Sequence, residues 1–310
     1  MSFHSLFFSF FISIFFIGCN SSEEKKLDSK NTDNYSSENS KPRTISKEFK
    51  EYWYSGKAEI TSYNLTQERY GELREGTAVT IFVTEDFLPE AQVKADNATE
   101  NTISVLKLNS TKKFITGIYP YSIMTSTFNP IATANHALKV SNSVQEWCGH
   151  VYMQLNNRAN FEVMSHSYFA KEADENFKLK KTWLENEIWN LVRINPAELP
   201  TGDVMVIPSF EYLRLHHKDI SEHNAFASVK QGDSLTSYTL NYPDLQRQLT
   251  LFFRNVFPYE IEKWEEVNAA HPSDTTRLIT TATKIKRMRT DYWNKNKSEH
   301  TTLRDTLGLK

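Results

Sequence analysis

The sequence predicts a mainly β protein: an antiparallel sheet, in the form of a barrel, a half-barrel or a sandwich, with one or two short helices. Three observations lead to this prediction. Many segments between residues 57 and 265 alternate apolar and polar side chains, which is the periodicity of strands. Turn-forming residues separate these segments at short intervals. Strands and helices do not alternate regularly, which disfavours a parallel α/β sheet.

Apolar alternation locates the individual strands. In 76–87, for example, Thr77, Val79, Ile81 and Val83 fall on one face. Hairpin turns are expected at 109–112 and at 156–159. Threonines in 276–293 favour a further strand at that position over a helix. The predicted strands are 57–70, 76–87, 102–108, 114–119, 144–155, 161–169, 204–216, 234–241, 245–253, 259–265 and 276–293.

Two helices are expected among these strands. A short one spans 47–54 and ends before Gly56. The second follows Thr182-Trp183-Leu184-Glu185, which has the residue pattern of a capping box. Apolar residues then follow at helical spacing, and Asn195-Pro196 predicts the end of this helix.

The N-terminal segment has the features of a secretion signal. Residues 1–18 contain no Asp, Glu, Lys or Arg, and 7–17 has the length of an apolar signal core. Phe16-Ile17-Gly18-Cys19 then resembles the lipobox of bacterial lipoproteins. That resemblance implies cleavage before Cys19, lipidation of its thiol and acylation of the new amine, with palmitate-type chains. Several acyl chains hold a protein far more firmly than one, so the lipid bilayer is an expected partner.

Polar sequence follows the lipobox and predicts a tether. Residues 20–46 contain seven Ser and four Asn, and five acidic residues balance five basic ones. Such a composition cannot bury enough apolar surface to fold. The expected domains are therefore a signal peptide, 1–18, a lipidated tether, 19–46, and one β-rich body, 47–310. Ser22-Glu23-Glu24-Lys25 resembles the export signals of Bacteroidota lipoproteins. We therefore expect an outer-membrane location, facing the periplasm or the cell surface.

Cys148, His150 and His166 form the best local candidate for chemistry. On a strand, Cys148 and His150 share a face, and a hairpin around Asn157-Arg158 brings His166 close to His150. Such a group could bind a soft divalent metal or act as a nucleophile with its base. The alternative without a catalytic or metal-binding role is a buried thiol beside two ordinary strand histidines.

Three other charged groups are weaker candidates. His216 and His217, with Asp219, Glu222 and His223, form a second possible metal cluster. Glu260, Glu262, Glu265 and Glu266 have the pattern of a strand with one wet face. Five basic residues in 277–289 form a solvated or headgroup-facing surface: Arg277, Lys284, Lys286, Arg287 and Arg289.

Composition and motifs limit the function. The formal net charge is −2, so nucleic acid is not an expected partner. The common phosphate-binding, zinc-protease and hydrolase fingerprints are missing, and no cofactor is expected. The body, from Lys50-Glu51-Tyr52-Trp53 to Phe257-Pro258-Tyr259, resembles an uncharacterised flavobacterial lipoprotein family whose members are sometimes labelled septum formation inhibitor Maf. The N-terminal Ser-rich, Arg-containing loop and the α/β rhythm of Maf pyrophosphatases are missing, so that activity does not transfer.

The expected function is therefore a lipid-anchored envelope protein that binds an apolar ligand or an envelope partner without catalysis. The alternative is a hydrolase or metal-dependent enzyme that uses Cys148, His150 and His166. A third reading is an accessory component of a larger membrane complex.

Overall fold

The computed structural model describes residues 41–269 and 277–309. Cys19, the predicted signal peptide and most of the predicted tether lie outside these ranges. Within them the protein is mainly β, as the sequence predicts. None of the helices in the described ranges is long and apolar enough to cross a membrane.

Sixteen strands form a single sheet. They are β1 (Ala58–Arg69), β2 (Glu72–Leu88), β3 (Val93–Lys94), β4 (Ile103–Thr116), β5 (Tyr119–Pro130), β6 (Lys139–Glu146), β7 (Gly149–Asn157), β8 (Phe161–Ser167), β9 (Asp174–Leu179), β10 (Trp183–Leu184), β11 (Gly202–Ile207), β12 (His223–Gln231), β13 (Leu235–Tyr242), β14 (Arg247–Arg254), β15 (Ile261–Val267) and β16 (Ile279–Thr290).

Neighbouring strands in the sheet are mostly neighbours in the chain, because hairpins join them. The order is β10-β11-β12-β13-β14-β15-β16-β1-β2-β4-β5-β6-β7-β8-β9, with β3 beside β2. The strand β16 lies between β15 and β1 and so connects the two halves of the sheet. The edge strands β9 and β10 are not paired with each other in the described part of the chain. Of the three predicted forms, the open half-barrel therefore describes the sheet best.

In residues 41–269 and 277–309, four short α-helices accompany the sheet, two more than the sequence predicts. They are α1 (Lys47–Trp53), α2 (Glu185–Ile194), α3 (Phe210–Leu215) and α4 (Thr302–Thr306). Single 3₁₀ turns occur at Pro196–Glu198, Tyr292–Asn294 and Ser298–Thr301.

Helix α2 lies inside the curve of the sheet. It packs on β4 and β5, and nearly all of its side chains are buried, including polar ones. The Asn190 amide donates to the backbone oxygens of Leu106, at 2.7 Å, and Thr127, at 3.3 Å. Arg193, at the other end of α2, forms a buried ion pair with Glu59 of β1, with N–O distances of 2.6 and 2.7 Å. Arg193 also donates to the backbone oxygen of Pro258, between β14 and β15, at 2.8 Å, so polar contacts fix this helix to both halves of the sheet.

The capping-box pattern predicts Thr182 as the N-cap of α2, but the N-cap is Leu184. The helix begins at Glu185, and the Glu187 carboxylate accepts a hydrogen bond from the Leu184 amide at 3.0 Å. Thr182 instead donates to the Met205 oxygen at 2.6 Å, which fastens the start of β10 to β11. The predicted apolar spacing inside the helix is confirmed.

Four predicted strands differ in the structure: 102–108, 114–119, 144–155 and 204–216. The segment 102–119 is not a hairpin around 109–112, because β4 runs unbroken to Thr116 and the turn is formed by Gly117 and Ile118. Gly117 has a φ of 57°, a conformation that glycine adopts without strain. The segment 204–216 is strand only to Ile207 and then forms α3.

Other strand predictions are confirmed. The hairpin around 156–159 joins β7 to β8, and the C-terminal segment forms β16 as favoured. In β2 the predicted face of Thr77, Val79, Ile81 and Val83 exists, but the opposite face is the more deeply buried one. That face carries Ala78, Thr80 and Phe82, each with no exposed surface.

The N-terminal end of the described chain is attached to one end of the sheet. Pro42 pairs with Thr133 in the β5–β6 connection. The Arg43 guanidinium donates to the backbone oxygen of Pro130 at 2.7 Å and forms an ion pair with Glu198 at 2.7 Å. We call these contacts the Arg43 clamp and this end of the sheet the clamp end. The turns after β1, β4, β6 and β8 lie at the opposite end, because each strand of a hairpin reverses direction.

Candidate interaction surface

Cys148 does not lie on a strand, contrary to the prediction. The predicted strand 144–155 is interrupted: β6 ends at Glu146, β7 begins at Gly149, and Trp147 and Cys148 form the turn between them. The thiol is exposed, and the Cys148 amide donates to the Glu146 carboxylate at 2.6 Å. Hydrogen bonding to Glu146 and the negative charge of that residue raise the pKa of the thiol. A raised pKa lowers the fraction of the nucleophilic thiolate.

His150 and His166 do come near each other, as the sequence predicts. They line one shallow pocket of about 240 Å³ with Tyr152, Tyr168 and Asp174. The His166 ring contacts the Asp174 carboxylate at 3.2 Å. Over 41–269 and 277–309, no three side chains of His, Cys, Asp or Glu are grouped as a metal ion requires. The shared strand face that linked Cys148 to these histidines does not exist.

The second predicted histidine cluster is separated. His216 follows α3 and packs on the ring of Tyr212, with ring centroids 4.6 Å apart. Burial and the nearby arginines Arg69 and Arg247 lower its pKa to about 4. His217 contacts Glu172 at 2.6 Å, and His223 lies in β12 beside Ser221. These three rings therefore serve different local contacts.

The acidic and basic segments near the C-terminus neutralise each other. Lys284 contacts Glu260 at 3.2 Å and Glu262 at 2.6 Å. Arg254 also contacts Glu262 at 2.6 Å, and Arg287 contacts Glu260. Most of the predicted wet face of β15 is thus a set of ion pairs with its neighbours.

Glu266 is the exception, and it belongs to a buried cluster that sequence reasoning missed. Lys112 of β4 contacts Glu211 of α3 at 2.7 Å and Glu266 at 2.9 Å. Arg247 contacts Glu266 at 3.2 Å and Glu185 of α2 at 2.7 Å. We call these five residues the interior charge cluster.

Protonation can balance the charges in this cluster. Burial raises the pKa of Glu266, but Lys112 and Arg247 outweigh burial and bring it down to about 2. Burial and the charge of Glu266 together raise the pKa of Glu211, despite the nearby Lys112. Of these two carboxyls, Glu211 is therefore the one that holds a proton more readily. With Glu211 neutral, two cations face two anions.

A small cavity adjoins the interior charge cluster. It has a volume of about 40 Å³ and a mixed lining in which Ser110, Thr125 and Asn186 lie beside Leu108 and Trp189. A buried water needs roughly 10–15 Å³ of such volume, so this space suits a few waters. Its partly polar walls and small size do not suit an apolar ligand. The interior charge cluster has a structural role instead: its ion pairs join Glu185 of α2 and Glu211 of α3 to the sheet.

Exposed apolar side chains gather at the end of the sheet opposite the clamp. Ile118 is 82% exposed, Tyr168 72% and Trp147 69%, and Tyr70 is also exposed. We call Tyr70, Ile118, Tyr119, Trp147 and Tyr168 the aromatic rim. Single exposed apolar residues are ordinary, but a continuous exposed group is typical of interaction sites.

Contacts involve the aromatic members of the rim. The Tyr70 and Tyr121 hydroxyls are 2.9 Å apart, and the Tyr121 ring lies 5.9 Å from that of Tyr119. The Tyr119 ring lies 6.4 Å from the Trp147 ring. A Cβ at Gly149 would come within 2.8 Å of the Tyr168 ring, so glycine allows this ring to pack on the next turn.

Turn geometry explains why these side chains remain exposed. Tyr70 and Gly71 both have positive φ angles, 56° and 73°, which fits a tight two-residue hairpin turn. Arg69 stacks on the Tyr70 ring at 4.1 Å and fixes its orientation. Ile118 occupies the second position of an equally short turn. Ile118 and Tyr70 are thus exposed at hairpin tips, and the Arg69 contact holds the Tyr70 ring.

No protein-family model and no curated protein matches the sequence. Among solved structures, the chain is similar to a beta-barrel-like protein of the domain of unknown function DUF1849 from Brucella abortus. The two are 8% identical, with a TM-score of 0.45, and the similarity covers 75% of this chain and 97% of that chain.

Proposed function

We propose that this chain is a lipid-anchored protein of the cell envelope whose β-rich body is a non-enzymatic binding module. Cys19 carries the acyl anchor in the outer membrane, and the tether connects it to the body. The aromatic rim binds an envelope partner. The observation on which this proposal rests is the rim: a group of apolar side chains that the body itself leaves uncovered, with Tyr119 and Trp147 in ring contact.

The interior favours a surface partner over an enclosed apolar ligand. Helix α2 occupies the curve of the sheet, and buried ion pairs fix it there. The cavity beside it is small and partly polar. Large aromatic side chains dominate the binding energy of many protein interfaces, which matches the composition of the rim.

Anchoring can be tested by labelling. Cells that make the full chain receive an alkyne fatty acid, and the Cys19→Ser variant serves as the control. The proposal expects the label and the membrane fraction to be lost together in the variant. A labelled or membrane-bound Cys19→Ser chain would contradict the anchor.

Binding can be tested by photo-crosslinking in intact cells. A benzophenone amino acid replaces Ile118 at the rim or Val256 in the β14–β15 turn, at the clamp end. Val256 is a matched control, because it is also apolar and 70% exposed. We expect a discrete protein adduct from position 118 and none from position 256. Equal adducts from both positions, or none from position 118, would overturn the role of the rim.

A further inference from the structure

The face of strands β7, β8 and β9 that points away from the core carries two hollows that the proposed function does not use. The first is the shallow pocket of about 240 Å³ that contains His150 and His166. The second has a volume of about 300 Å³, and its lining includes Asn156, Met164 and Asn176. We call the two hollows together the outer groove.

Strand register places the two hollows side by side on this face. Tyr152 of β7 pairs with His166 of β8, and His166 pairs with Asp174 of β9. Four residues further along β7, Asn156 pairs with Glu162. Four residues correspond to about 14 Å at the rise of an antiparallel strand, so the outer groove has room for a short chain of small units.

The charges in the outer groove neutralise each other. His166 contacts Asp174 at 3.2 Å, and Lys178 contacts Glu162 at 3.1 Å. Arg158 also approaches Glu162, at 3.4 Å. A strongly charged ligand would therefore meet no complementary excess of charge, and the groove favours an uncharged one.

Polar groups of the groove retain capacity for hydrogen bonds. The Tyr152 hydroxyl donates to Gln154 Oε1 at 2.7 Å, and the Gln154 amide donates to Asn156 Oδ1 at 3.1 Å, which leaves the amide nitrogen of Asn156 available. Over residues 41–269 and 277–309, the side chains of His150 and Asn176 have no hydrogen-bond partner. Amides and imidazoles both donate and accept, as hydroxyl groups do.

Two aromatic rings complete the first hollow. Tyr152 is half-buried, and the exposed ring of Tyr168 packs over Gly149, where a Cβ would come within 2.8 Å of it. Such rings offer apolar faces beside a polar hydroxyl. A sugar ring has the matching chemistry, because it presents C–H groups on its faces and hydroxyl groups at its edge.

We infer that the outer groove binds a neutral oligosaccharide. The tyrosine rings pack against the faces of one sugar unit, and the amides of Asn156 and Asn176 bind the hydroxyl groups of the next units. This inference goes beyond the proposed function and depends neither on the anchor nor on the partner of the rim, although Tyr168 borders both surfaces.

An oligosaccharide array tests the chemistry of the ligand. The purified full chain, in a detergent without a sugar headgroup, is applied to neutral and sulfated linear oligosaccharides of glucose, mannose, galactose and N-acetylglucosamine. We expect a neutral oligosaccharide to retain the chain, with little dependence on salt, since no net charge is involved. Retention by no neutral oligosaccharide, or stronger retention by sulfated ones, would overturn the inference.

Substitutions test the location of the site, with affinity for the retained oligosaccharide measured by calorimetry. Asn176→Ala should lower the affinity about fivefold, as expected for one lost hydrogen bond, and Tyr152→Ala should lower it more. Asn241→Ala is the matched control, because Asn241 is an exposed amide on the corresponding face of β13. Thermal denaturation confirms that each variant is folded. Equal affinities of Asn176→Ala and Asn241→Ala would overturn the assignment to the outer groove.

The same variant separates this inference from the proposed function. Asn176→Ala, combined with the crosslinker at position 118, should leave the yield of the protein adduct unchanged. A large loss of the adduct in this variant would show that the outer groove belongs to the protein interface, and it would overturn the inference of a separate sugar site.

Discussion

The pair of Arg193 and Glu59 shows how much a single buried contact contributes. Each side chain is 1% exposed, and the Arg193 guanidinium also lies 4.7 Å from the Phe82 ring. Arg193→Met should lower the free energy of unfolding by about 3–5 kcal/mol, because the buried Glu59 charge would keep only Arg287, at 3.5 Å, and the Tyr52 hydroxyl as partners. Urea denaturation at neutral pH measures this loss.

A double mutant separates the effect of the Glu59 charge left without Arg193 from the effect of lost Arg193 packing. Adding Glu59→Gln to Arg193→Met removes the stranded charge and should restore part of the lost stability. Lys47→Ala provides a surface control, since Lys47 and Glu51 are both exposed, and should change stability by less than about 0.5 kcal/mol. A double mutant no more stable than Arg193→Met would show that the charge is not the cause.

Substitution of Glu266 should cost much more stability than substitution of Glu211. Glu266 has its pKa lowered from 4.5 to about 2, so its contribution to stability is present above pH 4.5 and is lost as the pH falls towards 2. Glu211 has a raised pKa, so its ionisation opposes folding above pH 4.5. At pH 7, Glu266→Gln should cost about 3–5 kcal/mol, and Glu211→Gln should cost less than about 1 kcal/mol.

Denaturation curves between pH 2 and 7 measure both effects. Removing Glu266 should also flatten the fall in stability between pH 4.5 and pH 2. Equal losses from the two glutamine variants at pH 7 would contradict this assignment of the proton.

At the scale of elements, α2 depends on its polar contacts with the sheet. Asn190→Ala would leave the buried oxygens of Leu106 and Thr127 without the amide that donates to them. The expected loss of stability is about 1–3 kcal/mol, with faster amide hydrogen exchange in α2. Asn64→Ala, at an exposed position of β1, is the matched control. Unchanged exchange in α2 would show that apolar packing alone holds the helix.

Elements in which apolar residues recur with a clear period were predictable from the sequence. Contacts between elements that are distant in the chain were not. Ile188, Leu191 and Val192 show helical spacing, so α2 was predicted although its first residue was not. In β4, Ser110 and Lys112 look like turn residues because their partners lie far away in the chain. Lys112 and Glu266 are 154 positions apart, and strand alternation alone assigned Glu266 to the solvent.

The exposed rim was hidden from sequence reasoning for a related reason. An apolar residue is normally expected in the core, and only turn chemistry contradicts that expectation for Ile118 and Tyr70. The pairs Gly117-Ile118 and Tyr70-Gly71 were the available signals, since a glycine in a two-residue turn puts its neighbour at a hairpin tip.

At the scale of the whole molecule, β16 should control folding. It pairs with β1 and β15, which are far apart in the chain. Many long-range contacts can therefore form only when this C-terminal strand joins the sheet. A chain that ends at residue 276 should fail to fold, because both halves of the sheet would have new unpaired edges. A chain that ends at residue 291 keeps β16 and should fold, with lower stability because buried Leu307 is lost.

Circular dichroism and denaturation of the two truncated chains check this expectation. A cooperative unfolding transition from the shorter chain would show that β1 to β15 fold independently of β16.

The Arg43 clamp also has a mechanical consequence. Any pull transmitted through the residues before 41 reaches the body first at the Pro42–Thr133 bridge and the Arg43 side chain. Part of that load passes to Glu198, just beyond α2, and part to the backbone of the β5–β6 connection. Tension is thereby shared between the sheet and the segment after α2, and it does not act directly on α1.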